Sequence, residues 1–154
     1  MTMLDIREDD LTGEQVRGLL AFHLAEAHSN TPTEFSFALD LSGLQQPNIT
    51  VWTAWAGERI AGVAALKDLG DGSGEVKSMR TDPQHLRQGV ASALLEHIIS
   101  QARGRGMKRL LLETGTVAAY VPALALYRSR GFDDGEPFDD YQRSAYNQFL
   151  QLTL

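Results

Sequence analysis

The stretch Thr81-Asp82-Pro83-Gln84-His85-Leu86-Arg87-Gln88-Gly89-Val90-Ala91-Ser92-Ala93-Leu94-Leu95 decides how this chain folds. It reads as the end of a strand, a short turn and the opening of a helix. Upstream, Glu75 to Thr81 mixes branched and polar residues as a strand does. Pro83 stops the ladder, because it has no N–H to donate. Gly89 and Ala91 are small enough for a ligand to lie against the backbone. From Ala91 to Ala102, apolar residues recur at helical spacing, at Leu94, Leu95, Ile98, Ile99 and Ala102. A helix start offers unpaired N–H groups and the positive end of a dipole, which suit phosphate. The stretch therefore predicts a grip on a phosphorylated ligand.

Outward from there, Leu4–Arg7 reads as a first strand. Thr12-Gly-Glu-Gln15 is a capping-box pattern ahead of a helix with apolar Val16, Leu19, Leu20, Phe22, Leu24 and Ala27, running to about His28. Phe35 to Leu44 predicts a second, short helix, ended by Gln46-Pro-Asn. Thr50–Trp55 and Arg59–Leu69 form a hairpin around Gly57-Glu58. Trp52 and Trp55 fall on opposite faces, so at most one is expected to meet the core or a groove. Gly70-Asp-Gly-Ser-Gly74 is a hairpin turn leading to the strand Glu75–Thr81, since it opens no helix and no Lys-Ser/Thr follows. After the central helix, Gly104-Arg-Gly106 is a stop signal. Arg109–Thr114 is a continuous apolar strand of the kind buried on both faces. Pro122–Arg130 is helical and Phe149–Leu154 alternates like a closing strand. The order β-α-α-β-β-β-α-β-α-β predicts a mixed α/β domain over residues 1–154.

Composition narrows the function. The 154 residues are 43% hydrophobic and include no cysteine, which excludes disulfides, thiolate metal sites and a cysteine nucleophile. Fourteen basic residues against twenty acidic give a net charge of −6, which argues against general nucleic-acid binding. Arg103, Arg105, Lys108 and Arg109 gather near a helix end, where they complement its dipole. No apolar run reaches membrane-span length and the N-terminus lacks a signal-peptide core, so a cytoplasmic protein with no membrane partner is expected. His23 and His28 are five apart, about 140° around a helix, and share no face for a metal. No metal is expected.

Two further patterns carry a resemblance. Leu86-Arg87-Gln88-Gly89-Val90-Ala91 is similar to the cofactor motif Arg/Gln-x-x-Gly-x-Gly/Ala of the GCN5-related N-acetyltransferase (GNAT) superfamily. Ala123-Leu-Ala-Leu-Tyr127-Arg-Ser-Arg-Gly131-Phe132 is similar to its second motif, at the family's usual separation and with a strand between. The segments Asp10-Leu-Thr-Gly13, Lys77-Ser-Met-Arg-Thr81, Leu112-Glu-Thr-Gly115 and Glu136-Pro-Phe-Asp-Asp-Tyr141 resemble a bacterial subgroup that includes an indole-acetic-acid acetyltransferase. Leu86 stands where the motif has Arg or Gln, which removes one side-chain contact. Tyr120 stands where many members have Asn.

The resemblance implies a GNAT fold: a central mixed sheet splayed between strands 4 and 5, flanked by about four helices. It implies acetyl-CoA as cofactor. Leu86, Arg87, Gln88, Gly89, Val90, Ala91 and Ser92 would cradle the pyrophosphate, and backbone at Met79 and Thr81 would pair with the pantetheine. Tyr120 and Ala123 complete the cofactor's contacts. A strand N–H near Met79 would polarise the thioester carbonyl. Tyr127, at the start of the last helix, would be the general acid, and Glu75 the base with Glu113 as its rival. A carboxylate at the end of the apolar strand, as Glu113 is, would be costly without a purpose. His23 and Arg80 join Glu113 as candidate acceptor contacts, although a surface histidine is the simpler reading of His23. The expected activity is direct acetyl transfer to a small-molecule amine in a ternary complex, with protein or peptide acetylation and a non-catalytic acyl-CoA-binding module as alternatives. The closing strand, read as an edge, suggests a homodimer.

Overall fold

The chain runs β1 (Leu4–Glu8), α1 (Glu14–Asn30), α2 (Leu41–Leu44), β2 (Ile49–Ala56), β3 (Arg59–Asp68), β4 (Ser73–Thr81), α3 (Val90–Gly104), β5 (Arg109–Gly115), α4 (Val121–Ser129), β6 (Asp133–Asp134) and β7 (Asn147–Thr153). The structure is a computed structural model that describes residues 3–32 and 38–154. All seven strands join one sheet in the order β1-β2-β3-β4-β5-β7-β6. Every neighbouring pair is antiparallel except β4 and β5. A mixed α/β sheet with one parallel step between its fourth and fifth strands is the expected arrangement.

The sheet is covered on both faces. On one, Val90, Leu94, Leu95, Ile98 and Ala102 of α3 pack with Trp52, Leu66, Val76, Leu110, Leu112 and Tyr127. On the other, Val16, Leu19 and Leu20 of α1 pack with Leu44 of α2 and with Val51, Val63 and Ala65. Leu110 and Leu112 face one core while Leu111 is buried on the opposite side, so β5 is apolar on both faces from Leu110 to Leu112.

Several local expectations yield to tertiary contacts. No capping box forms: the Gln15 amide donates to Glu58 O at 2.8 Å and its oxygen accepts from Ile60 N–H at 2.9 Å. That side chain ties α1 to the β2–β3 turn, and Gly13 occupies the N-cap. Trp52 and Trp55 do lie on opposite faces, but each meets a core, because both faces carry helices. Phe22 sits at the surface of α1 with the Arg80 guanidinium 5.5 Å from its ring centroid. Of the helix expected over Phe35–Leu44, residues 35–37 lie outside the described residues; a helical turn forms at Leu41–Leu44, with Asp40 Oδ1 accepting from Gly43 N–H at 2.9 Å. The closing strand is not the sheet edge, because β6 pairs with it at Gln151 and Leu150. No helix among the described residues is long and apolar enough to cross a membrane.

The approach of α3 to the sheet depends on Gly62. A Cβ there would stand 2.6 Å from Val90 Cγ1, 3.0 Å from Leu94 Cδ1 and 3.1 Å from the Arg80 carbonyl. Gly62→Ala is expected to cost about 1–3 kcal/mol by overpacking, read as a lower urea midpoint at unchanged m-value. A wild-type midpoint would contradict this packing.

Candidate active site

The parallel ladder of β4 and β5 is short. Ser73 pairs with Arg109, Gly74 with Leu110 and Glu75 with Leu111, and there it ends. Beyond that point β4 stays bonded to β3 as far as Thr81–Gly62, and β5 to β7 as far as Gly115–Asn147. Each strand thus keeps its outer partner while the inner edges part. A bulge accompanies the parting. Val63 opposes Arg80 and Ala65 opposes Lys77, so Ser78 and Met79 together face Ala64, with Ser78 at φ +55. Such an insertion bends its strand and increases the local twist. The gap holds a cavity of about 200 Å³ walled by β4, β5, α1 and α4.

At one side of the gap lies the loop before α3. Asp82 Oδ2 accepts from Gln84 N–H at 3.0 Å and stands 3.2 Å from His85 Nδ1. Arg87 and Gly89 both take left-handed backbone, φ +62 and +79. Gly89 is the N-cap, with no side-chain cap bond, and Ala93 N–H bonds back to Gly89 O at 3.0 Å. The amides of Val90, Ala91 and Ser92 precede that first helical bond and have no carbonyl one turn earlier to meet. Beyond its own chain neighbours, no heavy atom of the described residues lies within 4 Å of where a Gly89 Cβ would stand. An open backbone at a helix start fits a phosphate group. Leu86, 59% exposed, brings no charge to it.

Past the Ser78 bulge the alternation of β4 shifts by one residue. Val76 and Met79 pack toward α3, while Arg80 reaches His23 and Phe22 of α1. Glu75, 1% exposed, is held by Lys77 Nζ at 3.1 Å and by the Tyr141 hydroxyl at 2.5 Å, both donating to Oε2. Lys77 Nζ also donates to the Tyr141 oxygen at 2.6 Å. Burial, with the Glu75 charge beside it, pushes the Tyr141 phenol up and keeps it a proton donor. Glu75 Oε1 is buried with no hydrogen-bond partner among the described residues. Glu113 lines the same cavity. Burial raises its carboxyl to about 7, and the Lys77 charge and the Asn147 amide only partly offset that. Arg80 Nε donates to His23 Nδ1 at 3.0 Å. Burial, then the Arg80 charge, holds His23 down at about 4, so its ring is neutral at pH 7.

Tyr127 projects from α4 into this cavity, its ring 5.7 Å from that of Phe132. It lies in the second half of the helix, not at its start as expected. Burial pushes its phenol up to about 12 against the opposing Arg80 charge, so it holds its proton at neutral pH. Tyr120 lies over Gly115, its ring where a Gly115 Cβ would stand.

Of the residues expected at the site, Glu75, Met79, Arg80, Glu113, Tyr120, Ala123, Tyr127 and His23 line the one cavity. Leu86 to Ser92 form the adjoining loop and helix start. Thr81 pairs with Gly62 at the end of β4, outside the cavity wall. Lys77, Tyr141 and Tyr146 carried no expected role. Tyr141 meets Glu75 from 66 positions away, a contact no local pattern announces. Among the described residues, no group of three His, Asp or Glu is arranged to hold a metal ion.

Comparison with known proteins agrees with this geometry. The sequence profile of the acetyltransferase (GNAT) family matches residues 15–132. The chain is 47% identical over 152 residues to the uncharacterized N-acetyltransferase YedL of Escherichia coli, covering 99% of this chain and 96% of that protein. It is 36% identical over 124 residues to an IAA acetyltransferase of Azospirillum brasilense, covering 80% of each. In fold it is similar to a Bacillus subtilis acetyltransferase solved in complex with CoA, with TM-score 0.74, 20% identity and 99% of each chain covered.

The Glu75–Lys77–Tyr141 cluster is testable apart from any activity. Tyr141→Phe leaves a buried carboxylate one donor short, and a loss of about 1–3 kcal/mol is expected. Wild-type stability in urea unfolding would show that the hydroxyl contributes nothing.

Proposed function

Because the chain belongs to the acetyltransferase (GNAT) family, whose enzymes use acetyl-CoA, we propose that it acetylates the amine of a small molecule by direct transfer within a ternary complex. The observation that carries this reading is the single cavity in which the Tyr127 phenol and the Glu113 carboxylate both stand. One holds a proton at neutral pH and the other titrates near it. The absence of cysteine is consistent with a route that needs no thiol acyl-enzyme. Helix α1 and Tyr146 wall the cavity, whose volume of about 200 Å³ suits a small acceptor.

Acetyl-CoA supplies an acyl thioester. In this reading, the amides of Val90 to Ser92 and the Arg87 side chain hold the pyrophosphate. Backbone of β4 at Met79 and Thr81 pairs with the pantetheine, in the manner of an added strand. An N–H at the bulge polarises the acyl carbonyl. Glu113 takes a proton from the acceptor's ammonium group and passes it to water. The nitrogen then bonds to the acyl carbon as the carbon–sulfur bond breaks. Tyr127 gives its proton to the leaving sulfur, and its phenolate recovers the proton that the new amide nitrogen sheds. Glu75 is the other carboxylate weighed for the base; Lys77 and Tyr141 both donate to its Oε2, and only its buried Oε1 has no partner among the described residues. In this reading Glu75 anchors the wall and Glu113, which titrates near neutral pH, accepts the proton.

Two variants test the roles. Tyr127→Phe should lower kcat by on the order of 10²-fold with CoA affinity retained; a drop below about threefold would remove the general acid from the account. The carboxyl of Glu113 is protonated below its raised value and cannot then accept a proton. Wild-type kcat should accordingly rise with pH through about 7. Glu113→Gln should be slower by on the order of 10²-fold and lack that limb. An unchanged limb in the variant would move the base elsewhere.

A further inference from the structure

Among the described residues, the charged groups around the cavity are unevenly paired. Lys77 is neutralised by Glu75 at 3.1 Å, and Lys67, opposite Glu75 on β3, by Asp139 at 3.3 Å. Arg80 has no carboxylate within 4.0 Å among the described residues. Glu26, one turn along α1 from His23 and also on the cavity wall, acts on it only from beyond that distance. The guanidinium is partly buried, which is costly for a cation without a partner. Its protein contacts hold it in place without neutralising it. Nε donates to the neutral His23 ring at 3.0 Å, and the plane lies 5.5 Å from the Phe22 ring centroid. Both contacts orient the group. They use Nε and leave the two terminal amino groups without a protein hydrogen bond among the described residues. A fixed guanidinium fork matches a carboxylate through two parallel hydrogen bonds.

The same cavity holds an anionic seat in Glu113. The Arg80 charge is also felt by Tyr127 and Tyr120, so it stands within electrostatic reach of the reacting centre. A cavity with a guanidinium that no carboxylate touches, a Glu113 carboxylate that accepts a proton, a more distant Glu26 and about 200 Å³ of space complements a small zwitterion. Building on the acetyl-transfer reading above, we propose that the acceptor is a small amino carboxylic acid, its carboxylate seated on Arg80 and its amine directed to Glu113. Arg80 is then a specificity-determining residue. An amine lacking the carboxylate leaves the guanidinium unpaired and is discriminated against.

The test uses the full-length protein, saturating acetyl-CoA and matched pairs: each common α-amino acid, β-alanine and γ-aminobutyrate, each beside its carboxamide. Release of free thiol is followed. The acid of the best pair should exceed its amide in kcat/KM by about tenfold or more, through KM. Arg80→Met should bring that ratio to about one, and Arg80→Lys, which keeps the charge and loses the fork, should fall between. Because the ratio is taken within each variant, partial loss of folded protein does not affect it. Amides acetylated as well as acids, or an acid-to-amide ratio unmoved in Arg80→Met, would overturn the proposal while leaving acetyl transfer intact. CoA binding without thiol release on any acid or amide would overturn this proposal, and the same silence on a wider panel of simple amines and polyamines would overturn the transfer reading itself.

Discussion

The parting of β4 from β5 after three paired residues is the constraint on which the rest of the structure depends. Two strand edges that separate inside a protein leave N–H and C=O groups facing a gap, and buried backbone groups need partners. The sheet keeps the gap open because β4 remains bonded to β3 and β5 to β7. The Ser78 bulge bends β4 away, and Gly62 lets α3 settle on the sheet with Val90 against it. The uncapped start of α3 therefore follows directly from the loop that ends β4. One geometric event thus creates both a slot suited to an extended ligand and an anion seat beside it.

The same parting explains the electrostatics. Lined by strands on both sides and closed by α1, the gap is dry enough to raise Glu113 and Tyr127 and to lower His23, in each case chiefly by burial. Glu75, Lys77 and Tyr141 answer one another across the face that α1 covers. A buried ion pair is weak evidence for stability, since its desolvation offsets much of its attraction. Here the cluster fixes a wall of the cavity, and Glu26, Glu113 and Arg80 line the same cavity without an ion pair among the described residues.

Features encoded locally were legible in the sequence. Pro83, Gly89 and the helical spacing of Leu94, Leu95, Ile98, Ile99 and Ala102 gave the strand end, the loop and the buried face of α3. The hairpin and the apolar β5 followed from residue type and period. Features decided by distant parts of the chain were not legible. Gln15 matches a capping pattern, yet its amide serves the β2–β3 turn. Phe22 fits the apolar stripe of α1 and lies outside it, under Arg80. The two-residue β6 is too short to carry a period, and it displaces β7 from the sheet edge. At the site, Glu75, Glu113 and Tyr127 were marked by residue type and position. Lys77 and Tyr141 were not, because their roles exist only once residues 64 and 66 positions apart meet.

Amide hydrogen exchange with and without CoA tests most directly whether the parted strands and the start of α3 form one binding surface. The account predicts slowed exchange on adding CoA at the β4 amides from Val76 to Arg80 and at Val90 to Ser92, with β1 and β2 unchanged. Protection elsewhere in the sheet, with those two segments unaffected, would contradict it.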